Sequence, residues 1–320
     1  MMEGLEKIRM GLEAVGQSMT RVIQGQEEVI EQVLTCFLAG GHAILEGVPG
    51  LGKTLLARTL ARLVNADYRR IQFTPDLLPS DIVGTNIFNM QTAKFVFRRG
   101  PIFTEILLAD EINRTPPKSQ AALLEAMEER QVTIEGVTRP LPDLFFVMAT
   151  QNPIEYEGTY PLPETQLDRF MMKIIVDYPE PHAELAVIRS YAQGKDLHDL
   201  ESLIPAGVIT KESVLSIRRF ILRIVTKEEI LGYIRTIVAE TRDPVYVQLG
   251  ASPRAAVAVL KASRALAALR GSEFVTPDEV KDVIVPVLRH RVILRPEALI
   301  DGLTSDFFLQ GILNRVPVPR

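Results

Sequence analysis

Between the apolar run Ala43-Ile44-Leu45 and a helical pattern that begins at Leu55 lies Gly47-Val48-Pro49-Gly50-Leu51-Gly52-Lys53-Thr54, which fits G-x-x-x-x-G-K-[ST]. A strand, a glycine-rich turn and a helix in that order leave few folds open. The glycines let successive backbone N–H groups converge on phosphate oxygens at a helix N-terminus, where unpaired donors and the helix dipole favour an anion. Lys53 supplies a mobile positive charge to the β/γ-phosphates. The Thr54 hydroxyl is placed to ligate Mg²⁺, which takes oxygen donors and shares itself with phosphates. A tight turn would account for Gly47, Gly50 and Gly52, but it leaves the Lys-Thr pair without a reason.

The rest of the first half alternates short apolar strands (42–46, 69–73, 103–109, 144–149, 173–176) with amphipathic helices (26–39, 53–64, 117–130). That pattern predicts a doubly wound α/β domain with a five-stranded parallel sheet. Two stretches break it. Residues 86–89 and 94–98 flank Met90-Gln91-Thr92-Ala93, and 131–135 and 138–141 flank Gly136, so both read as β-hairpins projecting from the sheet. After Asp177-Tyr178-Pro179-Glu180-Pro181 helical periodicity takes over, at 183–193, 211–223, 227–241, 253–270 and 277–289. The two prolines mark a boundary between a nucleotide-binding core, 1–180, and an all-helical lid, 181–320. The stretch 192–205 is too mixed to assign.

Composition narrows the function. The chain's 320 residues, 47% apolar and 24% charged, suit a soluble globular protein of about two domains. Residues 1–180 hold 17 basic against 24 acidic side chains, net −7, and residues 181–320 hold 19 against 16, net +3, which is no nucleic-acid footprint. No apolar run approaches the roughly 18 residues of a membrane span, and no secretory leader opens the chain, so the expected location is cytoplasmic. Cys36 sits in a helical apolar pattern and reads as core filler. His42, His182 and His198 show no metal-ligand spacing.

Further candidates lie at strand ends. Ile106-Leu107-Leu108-Ala109 runs into Asp110-Glu111, where a phosphate-loop protein keeps a metal-linked aspartate and a water-activating residue. Asp110 would orient Mg²⁺ or its waters, and Glu111 would polarise the water that attacks the γ-phosphate. The strand Phe145–Thr150 leads to Gln151-Asn152-Pro153. Asn152 could hold that water or the γ-phosphate, and a turn-forming Asn before Pro is the competing reading. Arg169, in Gln166-Leu167-Asp168-Arg169-Phe170, could salt-bridge a carboxylate of its own chain. It could equally reach a neighbour's γ-phosphate, where a trans arginine accelerates hydrolysis by roughly 10³–10⁵. Gly250-Ala251-Ser252-Pro253-Arg254 opens an Ala-rich helix with Ser as cap, and there Arg254 opposes the helix dipole. A nearby anion, such as a phosphate, would offset that. Arg289-His290-Arg291 and Arg295 form a basic cluster that reads as a solvated helix end or a partner site.

In this order, with a helical second domain, these elements resemble an AAA+ ATPase. More narrowly, residues 47–54, Asp-Glu-Ile-Asn-Arg-Thr-Pro-Pro-Lys-Ser-Gln at 110–120, Leu-Leu-Glu-Ala-Met-Glu-Glu at 123–129, Ala-Thr-Gln-Asn-Pro at 149–153 and Glu-Gly-Thr-Tyr-Pro-Leu-Pro-Glu at 157–164 resemble the MoxR family over almost the whole chain. Thr165 departs from it, standing where the family favours a small apolar residue. The resemblance implies that Gly47 to Leu55 hold the nucleotide, with Lys53 and Thr54 in Walker A roles and Asp110 and Glu111 in Walker B roles. It further implies Asn152 as sensor 1, Arg169 as arginine finger and Arg254 as sensor 2, serving its own nucleotide or a neighbour's. Val22, Ile23 and Gly25 would line the adenine. The first hairpin would be the clade's insertion in helix 2 and the second the insertion before sensor 1, both facing a pore or a client.

The expected function is then Mg²⁺-dependent ATP hydrolysis by a ring, typically a hexamer. It would be coupled to remodelling, activation or metal-cofactor insertion of a protein partner, often one with a von Willebrand factor A domain. A nucleotide-gated adaptor with little hydrolysis is a competing reading, against which Glu111 and Arg169 argue. A DNA-translocating ring is another, weakened by the −7 core and the lack of aromatic-basic interleaving in the hairpins, although Lys94, Arg98 and Arg99 are basic. A chelatase-like metal-insertion motor differs only in its partner.

Overall fold

A computed structural model of the chain describes residues 2–153 and 159–319, without the side chains of residues 2–8. Glu157 and Gly158 of the quoted motif lie outside the described residues. The first half contains α1 (Met2–Val22), α2 (Glu27–Leu38), β1 (Ala43–Glu46), α3 (Lys53–Val64), β2 (Tyr68–Gln72), α4 (Pro79–Val83), β3 (Gly84–Asn89), β4 (Lys94–Arg99), β5 (Ile106–Asp110), α5 (Pro117–Glu129), β6 (Gln131–Ile134), β7 (Val137–Pro140), β8 (Phe146–Gln151), α6 (Glu164–Leu167) and β9 (Met172–Ile175). There follow α7 (Pro181–Ala192), α8 (Leu200–Leu203), α9 (Lys211–Ile221), α10 (Glu228–Glu240), β10 (Val247–Leu249), α11 (Pro253–Leu269), α12 (Pro277–Leu288), β11 (Ile293–Leu294), α13 (Pro296–Ile300) and α14 (Ser305–Arg315).

Five strands form one parallel sheet in the order β2-β5-β8-β1-β9. Their side chains alternate between two cores. Ile106, Leu108, Phe146 and Met148 face one, and Leu107, Ala109, Val147 and Ala149 the other, all fully buried as both faces of a parallel sheet require. The first core also takes in Ile217, Ile237, Val259 and Ile284 from α9 to α12, so the C-terminal helices rest on one face of the sheet. The second is closed by Leu123, Leu124 and Met127 of α5. The third strand starts at Ile106 rather than 103, because residues 100–104 turn: the N–H of Thr104 bonds the Ile102 carbonyl, and its hydroxyl the Asp67 carbonyl at 2.8 Å.

Three features lie beyond the expected pattern. Helix α1 packs against α2, α3 and α11 through Leu12, Val15, Met19 and Val22, which recur at helical spacing ahead of the first expected helix. A short antiparallel pair, β10 with β11, accompanies the C-terminal helices. In the unassigned stretch near residue 200, Leu197, Leu200 and Ile204 are buried around the four-residue α8, too short to show a period.

Both hairpins stand outside the main sheet. Strands β6 and β7 turn through Glu135 (φ 50°) and Gly136 (φ 78°), the doubly left-handed turn whose twist suits a two-residue hairpin. The hairpins touch each other. The Arg139 guanidinium lies 4.0 Å from the centroid of the Phe97 ring, and the Asn86 side-chain amide donates to Glu135. Phe88, Met90 and Phe95 of the first hairpin are exposed. No helix among the described residues is long and apolar enough to cross a membrane.

Candidate active site

The C-terminal ends of β1, β5 and β8 open onto a cleft of about 740 Å³, the usual ligand position in a doubly wound sheet. Gly47 leaves β1 so close to β9 that a Cβ would lie 2.2 Å from the Val176 carbonyl oxygen, so only glycine fits. Gly50 (φ 90°) and Gly52 (φ 77°) take left-handed conformations and aim the loop into the first turn of α3. Gly47, Pro49, Gly50, Leu51, Gly52, Lys53, Thr54 and Leu55 line the cleft, together with Val22, Ile23, Asp110, Glu111 and Asn152. Val48 and Gly25 fall outside the lining. The Val48 carbonyl, with that of Gly47, accepts from Lys53 Nζ at 2.8 and 2.5 Å. Gly25 has φ 71°, and a Cβ there would lie 2.4 Å from that of Ala183, so it seats the α1–α2 loop on α7. Tyr178, Val187 and Tyr191 also line the cleft.

The acidic pair is held by neighbours that lie far away in sequence. The β2–β5 register sets Gln72 opposite Asp110. Asp110 accepts from Arg70 Nε and Nη2 at 3.0 and 2.6 Å through one oxygen, and from the Thr150 hydroxyl at 2.5 Å through the other. The Thr150 oxygen in turn accepts the Glu111 N–H at 2.8 Å. That bond holds Glu111 at φ 58°, a costly conformation for a residue with a side chain. The Glu111 carboxylate accepts from Gln72 Nε2 at 2.9 Å and Arg114 Nη1 at 3.0 Å. Partial burial lowers the pKa of Lys53, while the Asp110 and Glu111 carboxylates push it back up.

Arg169 and Arg254 do not line this cleft. Both instead meet Glu128, in the last turn of α5: Arg254 Nη2 at 2.7 Å from one oxygen, Arg169 Nη2 at 3.2 Å from the other. Arg254 also approaches Asp168 at 3.9 Å. The anion that compensates an arginine at the start of α11 is therefore this chain's own Glu128, whose carboxyl the Arg254 hydrogen bond holds below the usual carboxylate range. Ser252 occupies the N-cap position without a side-chain cap bond.

Of the basic cluster, Arg295 is exposed, whereas Arg289-His290-Arg291 is not a solvated helix end. His290 and Arg291 are buried, 7% and 8% exposed. Arg291 donates to Asp168 Oδ1 at 2.6 Å and to the carbonyls of Asp168, Phe170 and Met171 at 3.1, 2.7 and 3.0 Å, which fastens the segment that carries Arg169. Arg291→Ala should lower the free energy of unfolding in urea by about 2–3 kcal/mol, less than for a wholly enclosed pair because Asp168 is partly exposed. A loss under about 1 kcal/mol would mean that the segment does not depend on this anchor. His42 is also structural. Its ring accepts the Val147 N–H at 3.0 Å, faces the Met127 carbonyl at 3.3 Å, and is pulled by burial to a pKa of about 3. Burial pushes the Cys36 thiol up to about 12, as befits core filler.

A model of the ATPase family associated with various cellular activities (AAA) matches residues 42–172, and one of the AAA lid domain matches residues 239–312. The chain is 42% identical to the chaperone MoxR1 of Mycobacterium tuberculosis, over 99% of its own length and 85% of that protein's. It is 31% identical to protein MoxR of Paracoccus denitrificans over 93% of each. The chain belongs to the MoxR family of AAA+ ATPases. It is also similar to the uncharacterized protein YeaC of Bacillus subtilis, with 47% identity over 95% of the chain and 93% of YeaC. A crystal structure of a proposed ATPase from Cytophaga hutchinsonii superposes with a TM-score of 0.90 at 40% identity, covering 99% of this chain and 98% of that one.

Four residues that arrange the candidate side chains of this MoxR-family ATPase are not themselves candidates from the sequence. Gln72, Arg70 and Thr150 orient the acidic pair, and Glu128 gathers the two arginines. A signal existed for the first two: a strand reading Tyr-Arg-Arg-Ile-Gln beside one ending in two acids puts polar side chains where only a ligand or those acids can meet them.

Proposed function

We propose that the chain hydrolyses ATP in the cleft between the glycine-rich loop and the Asp110-Glu111 pair, and that the site is completed by a neighbouring copy. In this reading the N–H groups of residues 47–54 and Lys53 bind the phosphates, Glu111 takes a proton from the attacking water, and Asn152 orients that water. Val22 and Ile23 pack on the base. Thr54 and Asp110 would hold Mg²⁺, which when bound neutralises phosphate charge. Their hard oxygens suit it, and since Mg²⁺ is usually held by one or two protein oxygens, phosphates and water would supply its other ligands.

One observation carries the shared site. Arg169 and Arg254 stay out of their own cleft and are paired at its outside on Glu128, with side chains 30% and 58% exposed. A neighbour's γ-phosphate is the ligand that such a pair suits, so both arginines act in trans, in a closed ring that we take to be a hexamer. Residues 1–180 then serve as the nucleotide-binding core and 181–320 as the lid. The name of the Mycobacterium relative, a chaperone, supports a protein client, which we extend to remodelling, activation or metal-cofactor insertion of a partner such as a von Willebrand factor A domain protein, in the cytoplasm. The test is phosphate release per chain with Mg-ATP over a wide range of protein concentration. A specific rate that rises and saturates is expected. A negligible rate at every concentration, with ATP bound, would point to the nucleotide-gated adaptor instead.

A further inference from the structure

Arg169 follows α6 and Arg254 is the second residue of α11, yet one carboxylate joins them, with one guanidinium on each oxygen of Glu128. Two cations brought together on a surface repel, and each long side chain samples many rotamers. A carboxylate between them removes the repulsion and fixes their separation. It spends one Nη of each guanidinium, and the planar fork of an arginine has donors to spare for a second anion.

The chain on both sides of Glu128 is tied to the sheet. The carbonyl of its neighbour Met127 meets the buried His42 ring at 3.3 Å. Arg130, at φ 52°, ends α5 and donates to the Gly40 carbonyl at 3.0 Å, just before β1. On the other side Arg291 fastens the segment that carries Arg169. The pair is thereby referenced to the sheet at both ends, although Glu128 itself does not line the nucleotide cleft.

We propose that Glu128 is a positioning residue for hydrolysis, holding Arg169 and Arg254 as one prealigned pair that meets a neighbour's γ-phosphate. This rests on the reading that both arginines act in trans. Glu128 gains nothing by touching substrate; it places the two groups that do, and misplacement of such groups by about 1 Å costs up to about 10²-fold in rate.

The test is Glu128→Gln, which keeps the shape and removes the charge. Its kcat should fall by about 10- to 100-fold with KM for ATP and thermal melting unchanged, a split that a general loosening of α5 would not produce. Mixing it with Lys53→Ala should restore turnover, because those copies bring an intact Glu128-Arg169-Arg254 group to their neighbours' ATP. Added to Arg169→Ala/Arg254→Ala, it should change nothing further. Wild-type or raised turnover in Glu128→Gln overturns the proposal. So does a loss that Lys53→Ala leaves uncorrected while the same partner rescues Arg169→Ala. If Arg169→Ala itself is not rescued in mixtures shown by light scattering to co-assemble, the trans reading has failed and this inference falls with it. Should Glu128→Gln not fold, Glu128→Asp, too short to span both guanidiniums, is expected to show the same loss and the same recovery.

Discussion

Glu111→Gln is expected to bind Mg-ATP as the parent chain does and to lose about 10²–10⁴-fold in phosphate release, the range for removing a general base. Glutamine has the shape of glutamate, and the main-chain bond to Thr150 that holds residue 111 at φ 58° does not involve the side chain. The variant therefore keeps the loop and loses the proton acceptor. Lys53→Ala makes the complementary case. Its Nζ lies against the Gly47 and Val48 carbonyls at the mouth of the loop, so its removal takes away the mobile charge that meets phosphate and should abolish binding itself. Equilibrium binding of a fluorescent ATP analogue, with phosphate release on the same samples, separates the two. Unchanged turnover in Glu111→Gln would remove Glu111 from its assigned role.

Arg169→Ala should bind ATP normally and hydrolyse it roughly 10³–10⁵-fold more slowly, as expected when a trans arginine is lost. Its distinguishing feature is recovery on mixing. Copies with Lys53→Ala hold no nucleotide but present an intact Arg169 to a neighbour that does, so mixed assemblies should regain part of the rate. The geometry behind this is that Arg169 pairs with Glu128 and does not line the cleft of its own chain. No recovery in assemblies confirmed to be mixed would return Arg169 to a role within its own subunit.

Much of this arrangement is legible in the sequence wherever the signal is contiguous. Helix α3 begins and ends where its pattern says, at Lys53 and Val64, because a glycine turn starts it and Asn65, at φ 52°, stops it. The three central strands β1, β5 and β8 announce themselves as buried apolar runs ending in Glu46, Asp110 and Gln151, since a parallel sheet covered on both faces admits polar side chains only at its ends, while the edge strand β2 is mostly polar and exposed. Helix α1 carries the same signal, with Leu12, Val15, Met19 and Val22 at helical spacing in the core. The pair β10–β11 amounts to a few residues stabilised by packing from elsewhere, which no local pattern reveals.

The phosphate loop and the acidic pair were determined by sequence alone, because their chemistry depends on residues adjacent in the chain and on strand and helix propensities that act locally. Which distant residues meet them was decided only by the tertiary structure. Gln72 reaches Glu111 through the register of two parallel strands. Arg291, in a cluster that reads as surface charge, is buried because the C-terminal helices share a core with the sheet and carry it onto the Asp168–Met171 backbone. Glu128, one of three glutamates in α5, became the partner of Arg169 and Arg254 because the packing of α5 and α11 brought all three together. Register and packing are summed over many weak contacts between elements far apart in sequence, so no single segment encodes them.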